Sequence, residues 1–252
     1  MRVRSNPWLR LVSWNIMAGG GGRCPALVDT LCRYDADVLV LQETMSHRAP
    51  DLCHALGRAG YRYGASAPRG RSDRGMCVLA RRPIRRRRAA PPPHAALYPR
   101  GWLEIDVPGA DFRLAAVYGP PAGPEVSAFW NAAAAWLPRR TRRPYLLLGD
   151  YNAGASLVDA ERYRFKAGRA FAALGGMGLV DLWRRQHGER REHTWFSHRP
   201  GGGVGRGFRI DHAFASAELA PRARGCWYDH TVRQRGLSDH SALVVELAEP
   251  AD

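Results

Sequence analysis

The stretch Tyr145-Leu-Leu-Leu-Gly-Asp-Tyr-Asn152 joins an apolar run to a glycine and two polar side chains. The four successive apolar residues predict a buried strand, Tyr145–Leu148, bounded by a turn. Asp150 and Asn152 follow the end of that strand, and active sites of α/β proteins collect where rigid elements hold loop residues. The stretch therefore predicts an α/β domain with a functional site at its strand ends.

Similar short apolar runs recur on both sides of this stretch, and helical patterns lie between some of them. The predicted strands are Leu9–Trp14, Val38–Leu41, Met76–Ala80, Leu103–Val107, Leu114–Val117, Tyr145–Leu148, Ile210–Phe214 and Ala242–Leu247. The predicted helices are Pro25–Tyr34, Pro124–Leu137 and Arg169–Leu174. Strands alternating with helices and hairpins indicate an α/β or α+β fold. With no linker or repeat between them, residues 1–252 are expected to form one domain.

Two segments are predicted to lack regular structure. Arg81–Pro93 combines an arginine run with three consecutive prolines, and Pro200–Gly207 is glycine-rich, as in a mobile loop. The run Arg85–Arg88 fits either a phosphate-binding cluster or a solvated turn. In the helix Pro124–Leu137, the aromatic stripe indicates core packing rather than a platform for stacking bases.

Polar side chains also interrupt or flank several of the other apolar runs. They are Asn15, Gln42 with Glu43, Tyr118, Asp211 in Arg-Ile-Asp-His, and Asp239 with His240. Each residue alone also fits a turn, a helix cap or a hydrogen-bonded structural role. Together they form the donor set of a metal-assisted phosphoryl-transfer centre.

The chemistry of phosphodiester hydrolysis requires these residue types, because water must attack an anionic group and extra negative charge must be stabilised. Glu43, with Asn15 or Asp211 nearby, suits Mg²⁺, which prefers oxygen ligands. Asp150 is placed to deprotonate the attacking water. Further roles fall to Asn152 as a phosphate or water contact, to His240 as a donor to the pentacovalent phosphorus, and to Tyr118 as an additional hydroxyl.

Five motifs carry a resemblance to the endonuclease/exonuclease/phosphatase superfamily. In order, they are Ser-Trp-Asn-Ile (13–16), Leu-Gln-Glu-Thr (41–44), Gly-Asp-Tyr-Asn (149–152), Arg-Ile-Asp-His (209–212) and Leu-Ser-Asp-His (237–240). The resemblance implies a four-layer α/β/β/α sandwich of two packed mixed sheets and an enzyme that uses Mg²⁺, with Mn²⁺ as the alternative ion.

The same resemblance implies roles for individual residues. Glu43, Asn15 and Asp239 are expected to bind the metal, and Asp150 to act as the general base. The remaining expectations are that Asn152 contacts the phosphate, that Asp211 supports the nucleophile or the metal, and that Asp239 pairs with His240.

Within the superfamily, the sequence is similar to the exonuclease III and abasic-site endonuclease branch. Tyr118-Gly-Pro120 resembles the Tyr-x-Pro of that branch, and Leu179–Trp183 followed by His193–Ser197 is also similar. Met45 departs from it, because the branch usually has lysine after Glu-Thr. The branch implies action on DNA, and a role in DNA repair.

Charge is the strongest feature of the composition. The chain carries a formal net charge of +15, and such a surplus attracts polyanions, nucleic acid above all. GC-rich coding is the alternative cause, because Lys166 is the only lysine and arginine supplies nearly all of the positive charge.

The compartment is predicted to be the cytoplasm. Five cysteines form no C-x-x-C pair, which favours reduced thiols. No apolar run approaches the ~20 residues of a membrane span, and the first residues do not resemble a secretory signal. Nothing in the sequence indicates an oligomer, so a monomer is the default expectation.

Three functions fit these observations. The leading hypothesis is a Mg²⁺-dependent DNA endonuclease or exonuclease. The second is a phosphatase or phosphodiesterase that acts on a lipid headgroup or a small phosphate ester, because the fold does not fix the substrate. The third is a binding protein that has kept the fold without catalysis.

Overall fold

Two six-stranded sheets form the centre of the computed structural model, which describes residues 8–69, 72–87, 98–137, 144–198 and 203–248. Numbered along the chain, the strands of the first sheet are, in spatial order, β13 (Ala223–Asp229), β14 (Ala242–Ala248), β1 (Trp8–Asn15), β2 (Val38–Met45), β4 (Arg74–Ala80) and β3 (Tyr63–Ser66). Those of the second are β5 (Arg85–Arg86), β6 (Trp102–Asp106), β7 (Arg113–Tyr118), β8 (Tyr145–Asp150), β12 (Asp211–Ser216) and β9 (Leu179–Asp181).

The two sheets pack face to face, with β1 and β2 of the first against β8 of the second. Alternation along β1 divides its side chains, so that Leu11 lies in the core between the sheets and Val12 in the core under the outer helices. Period-two alternation requires this division. Both sheets are mixed, with parallel pairs β1/β2 and β7/β8 among antiparallel neighbours.

Helices cover the outer faces. Helices α1 (Cys24–Tyr34) and α2 (Ala49–Arg58) pack on the first sheet, whereas α3 (Glu125–Trp136) and α4 (Gly168–Gly176) pack on the second. Proline lies in the first turn of α1 and α2, where its missing N–H costs no hydrogen bond. The short helices α5 (Leu182–His187) and α6 (Thr231–Gln234) follow β9 and β13. The predicted four-layer sandwich is confirmed.

All eight predicted strands and all three predicted helices are present, with ends shifted by a few residues. Phe129 and Trp130 of α3 are fully buried, which confirms that the aromatic stripe packs in the core.

The prediction for the glycine-rich segment is wrong for its described part. Val204–Phe208 forms strand β11, which pairs with β10 (Trp195–His198) in a hairpin. Glycine allows the close pairing there, because a Cβ at Gly205 would lie 2.5 Å from the carbonyl oxygen of Ser197. Residues 200–202 lie outside the described residues.

The arginine run also contains regular structure. Arg85 and Arg86 form the edge strand β5, opposite Asp106 and Ile105. That end of β6 is the one furthest from Tyr118, so these two arginines are at the wrong end of the sheet to bind a phosphate near Asp150. Residues 88–93 lie outside the described residues.

Candidate active site

The parallel pairs in the two sheets bring the predicted site residues to one end of the sandwich. Asn15 lies opposite Gln42 at the ends of β1 and β2, and Tyr118 lies opposite Asp150 at the ends of β7 and β8. Asp211, the first residue of antiparallel β12, also lies opposite Asp150. Because β1 and β2 pack on β8, the ends of both sheets meet, and the Asn15 amide donates to Asp150 Oδ2 at 3.0 Å.

A β-bulge aims Glu43 at this junction. Gln42 pairs with Met76 and Thr44 with Gly75, so Glu43 is the extra residue of β2. Its φ of +57° is left-handed, which costs a non-glycine residue about 1–2 kcal/mol. Such bulges redirect a side chain next to active sites. The Glu43 carboxylate consequently accepts hydrogen bonds from the Ala18 N–H at 2.9 Å and from the Tyr118 hydroxyl at 3.2 Å.

Asp150 is fully buried and accepts hydrogen bonds on both oxygens. The backbone N–H of Asn152 donates to Oδ1 at 2.9 Å, and the Asn15 amide donates to Oδ2. Asn152 has a φ of +47°, a conformation that asparagine tolerates better than most residues, and its side-chain amide donates to Gly119 O at 2.9 Å. The close pairing of β7 and β8 next to Asp150 requires glycine at position 149, because a Cβ there would lie 1.9 Å from Val117 O.

His240 pairs with Asp211. Its Nδ1 lies 3.0 Å from Asp211 Oδ2, and both side chains are buried. The expected pairing of Asp239 with His240 is therefore wrong. The Asp239 carboxylate instead accepts a hydrogen bond from Trp195 Nε1 at 2.9 Å.

The buried acid and base have strongly shifted pKa values. Burial raises the pKa of Asp150 to about 7. The charge of His240 lowers this pKa, and the carboxylate of Asp211 raises it. Burial alone lowers the pKa of His240, but the carboxylates of Asp211 and Asp150 outweigh it and raise this pKa to about 10. At neutral pH, the site thus combines a carboxylate near its own pKa with an imidazolium.

Two groups of metal-ligating side-chain types lie at this end of the sandwich. Glu43 already has a cationic neighbour, because Arg74 NH1 lies 3.2 Å from its Oε1. Asn15 Oδ1 belongs to the same region, since it accepts from Met17 N next to Ala18. Separately, one ligand atom each from Asp150, Asp211 and His240 lies within 4.8 Å of the others. Carboxylate and amide oxygens are the donors that hard divalent cations prefer.

Residues that the sequence patterns did not single out hold Asp211 in place. The Thr194 hydroxyl accepts from Ile210 N at 3.1 Å and from Asp211 N at 3.3 Å, and the Tyr228 hydroxyl donates to Asp211 O at 2.7 Å. Arg209 lies directly before Ile210 and Asp211 in the chain. Thr194 and Arg209 lie in segments that carry the family resemblance, and that resemblance is the only signal in the sequence that points to them.

Arg209 is the centre of a buried ionic network. Only 1% of its surface is exposed, and its guanidinium lies 2.8 Å from Asp159 Oδ1 and 2.6 Å from Asp181 Oδ2. Asp159 also accepts from Ala155 N, in the loop that follows Asn152. The network therefore ties that loop to the strand that carries Asp211.

His212 makes the fold sensitive to acid. Burial and the charge of Arg209 lower its pKa from 6.5 to about 4, and its Nε2 lies 2.9 Å from Ala153 O. The neutral ring is favoured in the folded state, so its contribution is complete above pH 6.5 and is lost as the pH falls towards 4. The loss is roughly 3 kcal/mol. We expect His212→Gln, which keeps an N–H donor, to flatten this decline in chemical-denaturation experiments between pH 7 and pH 4.5. Equal slopes in the two proteins would contradict the assignment.

The sequence matches the model of the Endonuclease/Exonuclease/phosphatase family over residues 12–240. The chain belongs to this family. The predicted resemblance is thus confirmed, and the protein is a metal-dependent phosphoesterase of the family. No curated protein matches the sequence significantly.

Solved structures with low sequence identity share the fold of this family member. An AP endonuclease from Archaeoglobus fulgidus is 19% identical, with a TM-score of 0.79 over 95% of this chain and 99% of that one. The 3′ phosphatase NExo from Neisseria, bound to a product DNA hairpin, is 23% identical, with a TM-score of 0.77 over 95% and 99%. A 3′-5′ exonuclease, NExo from Neisseria meningitidis, is 23% identical, with a TM-score of 0.74 over 94% and 99%.

Proposed function

We propose that this family member hydrolyses phosphodiester or terminal phosphate bonds in DNA, with Mg²⁺ as its ion and Mn²⁺ as a substitute. The observation that carries the proposal is the buried Asp150 carboxylate, held by Asn15 and Asn152 and lying opposite Asp211 of the His240–Asp211 pair. A base whose pKa is near neutral is matched to the deprotonation of water at physiological pH. The His240 imidazolium of this pair supplies the positive charge that an anionic transition state requires.

In this mechanism each residue acts at a stated atom. Asp150 takes the proton of the attacking water. The Asn15 side-chain amide and the Asn152 backbone N–H fix the orientation of the Asp150 carboxylate. His240 is held at Nδ1 by Asp211, so Nε2–H is the donor left for a phosphoryl oxygen. The Asn152 side-chain amide is a further donor for a phosphate oxygen, and so is the Tyr118 hydroxyl once it leaves Glu43 Oε1. These roles extend the family chemistry to individual residues of this chain.

Glu43, Asn15 and Asp239 are the proposed metal ligands. A bound cation would polarise the phosphoryl oxygen and neutralise charge on the leaving group. The Glu43 side chain is the best supported of the three, because its carboxylate already lies against a cationic group.

Glu43→Gln tests the ligand assignment. The amide keeps the shape but loses the charge, so we expect the Mg²⁺ concentration for half-maximal activity to rise about tenfold or more. Activity should recover in part at high Mg²⁺. Calorimetric titration with Mn²⁺ in the absence of substrate provides the independent reading. An unchanged Mg²⁺ titration would remove Glu43 from the ligand set.

DNA is the proposed substrate because the net charge is +15 and because the structural relatives named above act on or bind DNA. Tyr118-Gly-Pro120 supports the exonuclease III and abasic-site branch. The test is a panel of substrates at equal enzyme concentration: abasic, 3′-phosphate and undamaged duplexes, phosphoinositide, sphingomyelin and a small phosphate monoester. Turnover of DNA alone supports the proposal. Turnover of a lipid or small ester without DNA cleavage would overturn it.

The remaining parts of the proposal concern the state of the protein. All five cysteines have free thiols, which supports a cytoplasmic location, where thiols stay reduced. In the described part of the chain, no helix has the length and apolarity that crossing a membrane requires. A single domain and a monomer complete the proposal, and sedimentation of the purified protein tests the latter.

A further inference from the structure

Arg74 differs from the other arginines near the strand ends in the group that it contacts. Arg23 donates to Met17 O, Arg48 to Ala18 O and Arg69 to Thr44 O, so these three hold backbone carbonyls. The Arg74 guanidinium instead lies against the carboxylate of Glu43, with NH1 3.2 Å from Oε1. It is thus a cation on the proposed metal ligand.

The β-ladder places Arg74 there. Arg74 is the first residue of β4 and lies opposite Met45, two residues after the bulged Glu43. Met45 carries no charge, and its side chain lies near Gly19, where a Cβ would be 2.9 Å from Met45 Cγ. The positive charge beside Glu43 therefore comes across the ladder, from β4.

Arg74 and a divalent cation would compete for this carboxylate. Glu43 Oε2 accepts from Ala18 N, and Oε1 accepts from Tyr118, so Arg74 occupies the remaining capacity of Oε1. A cation bound by Glu43 would repel the guanidinium. The Arg74 side chain is 52% exposed, so it is free to move when this contact is replaced.

We propose that Arg74 is a phosphate-binding residue, which neutralises Glu43 in the metal-free protein and transfers to a substrate phosphate when the cation binds. This inference rests on the proposed function, because it places the DNA backbone at the same strand ends. Guanidinium binds phosphate through two parallel N–H donors, and phosphate is the anion that a metal-loaded site would bring within reach.

The proposal makes predictions of opposite sign for the two ligands. Arg74→Ala removes a competing cation, so Mn²⁺ measured by calorimetry without substrate should bind about threefold more tightly, a modest effect because the group is exposed. DNA binding should weaken about tenfold, because one arginine–phosphate contact is lost. Arg74→Lys keeps the charge, so it should retain wild-type Mn²⁺ affinity and lose only part of the DNA affinity.

DNA binding is measured on the Asp150→Asn background with Mg²⁺ present, so that the duplex stays intact. The slope of log K against log salt should fall by about 0.9 in Arg74→Ala, the value for one phosphate contact. Arg58→Ala is the matched control, since it removes one exposed arginine from α2. Its salt slope and Mn²⁺ affinity should equal those of the parent.

Tighter Mn²⁺ binding together with weaker, less salt-dependent DNA binding supports the proposal. Weaker binding of both ligands would show that Arg74 only braces Glu43, and unchanged binding of both would show that it does neither; either result overturns the proposal. The Mn²⁺ titration needs no substrate. Failure of the parent protein to bind DNA would overturn the proposed substrate, and that result is distinguishable from equal DNA binding by parent and variant.

Discussion

Asp150→Asn is expected to lower the turnover of this phosphoesterase by about 10³-fold or more, because loss of a positioned base typically costs about 10²–10⁴-fold and its charge also acts on the transition state. The substitution replaces one buried carboxylate oxygen with an NH2 group and leaves Gly149 and Asn152 in place. The loss should appear in kcat rather than in KM for the substrate. Single-turnover rates at saturating Mg²⁺ provide the measurement.

The same variant should not be less stable than the wild type. Burial raises the pKa of Asp150, so its ionised form is disfavoured in the folded state, and the contribution of this group to stability declines as the pH rises from 3.8 towards 7. Replacing it with a neutral amide removes that cost at neutral pH, and this gain exceeds the roughly 1–3 kcal/mol lost where the new NH2 group faces Asn15 or Asn152 N–H in place of an acceptor. We therefore expect an equal or higher melting temperature at pH 7.5. A large fall in melting temperature would mean that lost activity reflects unfolding, and near-normal activity would remove Asp150 as the base.

His240→Ala is expected to lower turnover by about 10²–10⁴-fold, because the imidazolium supplies positive charge and a donor where the transition state is anionic. This variant should also be less stable, because removing one partner of a buried ion pair leaves Asp211 uncompensated at a cost of about 3–5 kcal/mol. Activity is therefore measured at 15 °C, after circular dichroism has shown that the protein is folded.

Two matched variants separate these effects. His240→Gln fills more of the space of the ring and keeps an N–H donor, so it should recover stability but little turnover. Asp239→Asn changes the neighbouring carboxylate, which contacts Trp195 rather than His240; it should leave the charge state of His240 unaltered and act through metal binding. Turnover near the wild-type value in both His240 variants would exclude this residue from the chemistry.

Much of the fold could be predicted because its strands are buried. The central strands β1, β2, β7 and β8 carry nearly continuous apolar runs, as strands covered on both sides must. Several elements with one solvated face were missed. Edge strand β13 buries Ala223, Cys226 and Tyr228 but exposes Arg224 and Trp227, and within α2 only Leu52 and Leu56 are buried.

The members of the candidate site were predictable, but their pairing was not. Polar residues beside apolar runs can be recognised in the sequence. Each of the predicted site residues lies at the same end of the sandwich. Which carboxylate meets His240 depends on the β8–β12 register, which places Asp211 opposite Asp150. The family resemblance implied Asp239 instead. A choice between two carboxylates in space needs tertiary structure.

Arg74 shows the same limit. A single exposed arginine before a glycine has no pattern that distinguishes it from the many other arginines of this basic chain. Its place becomes visible only when the ladder sets Arg74 opposite Met45 and the bulge turns Glu43 towards it. The bulge itself has no sequence signature at Glu43, because its left-handed backbone is adopted by a residue that rarely prefers it.

The most direct test of catalysis by the Asp150 centre is cleavage of an end-labelled DNA duplex containing one abasic site, beside an undamaged duplex. Wild-type protein and Asp150→Asn, purified in parallel, are assayed with Mg²⁺ and with EDTA. We expect Mg²⁺-dependent incision by the wild type that EDTA abolishes and that Asp150→Asn lowers by about 10³-fold. Incision at equal rates by the two proteins would contradict this expectation, because the chemistry would then lie outside the Asp150 centre.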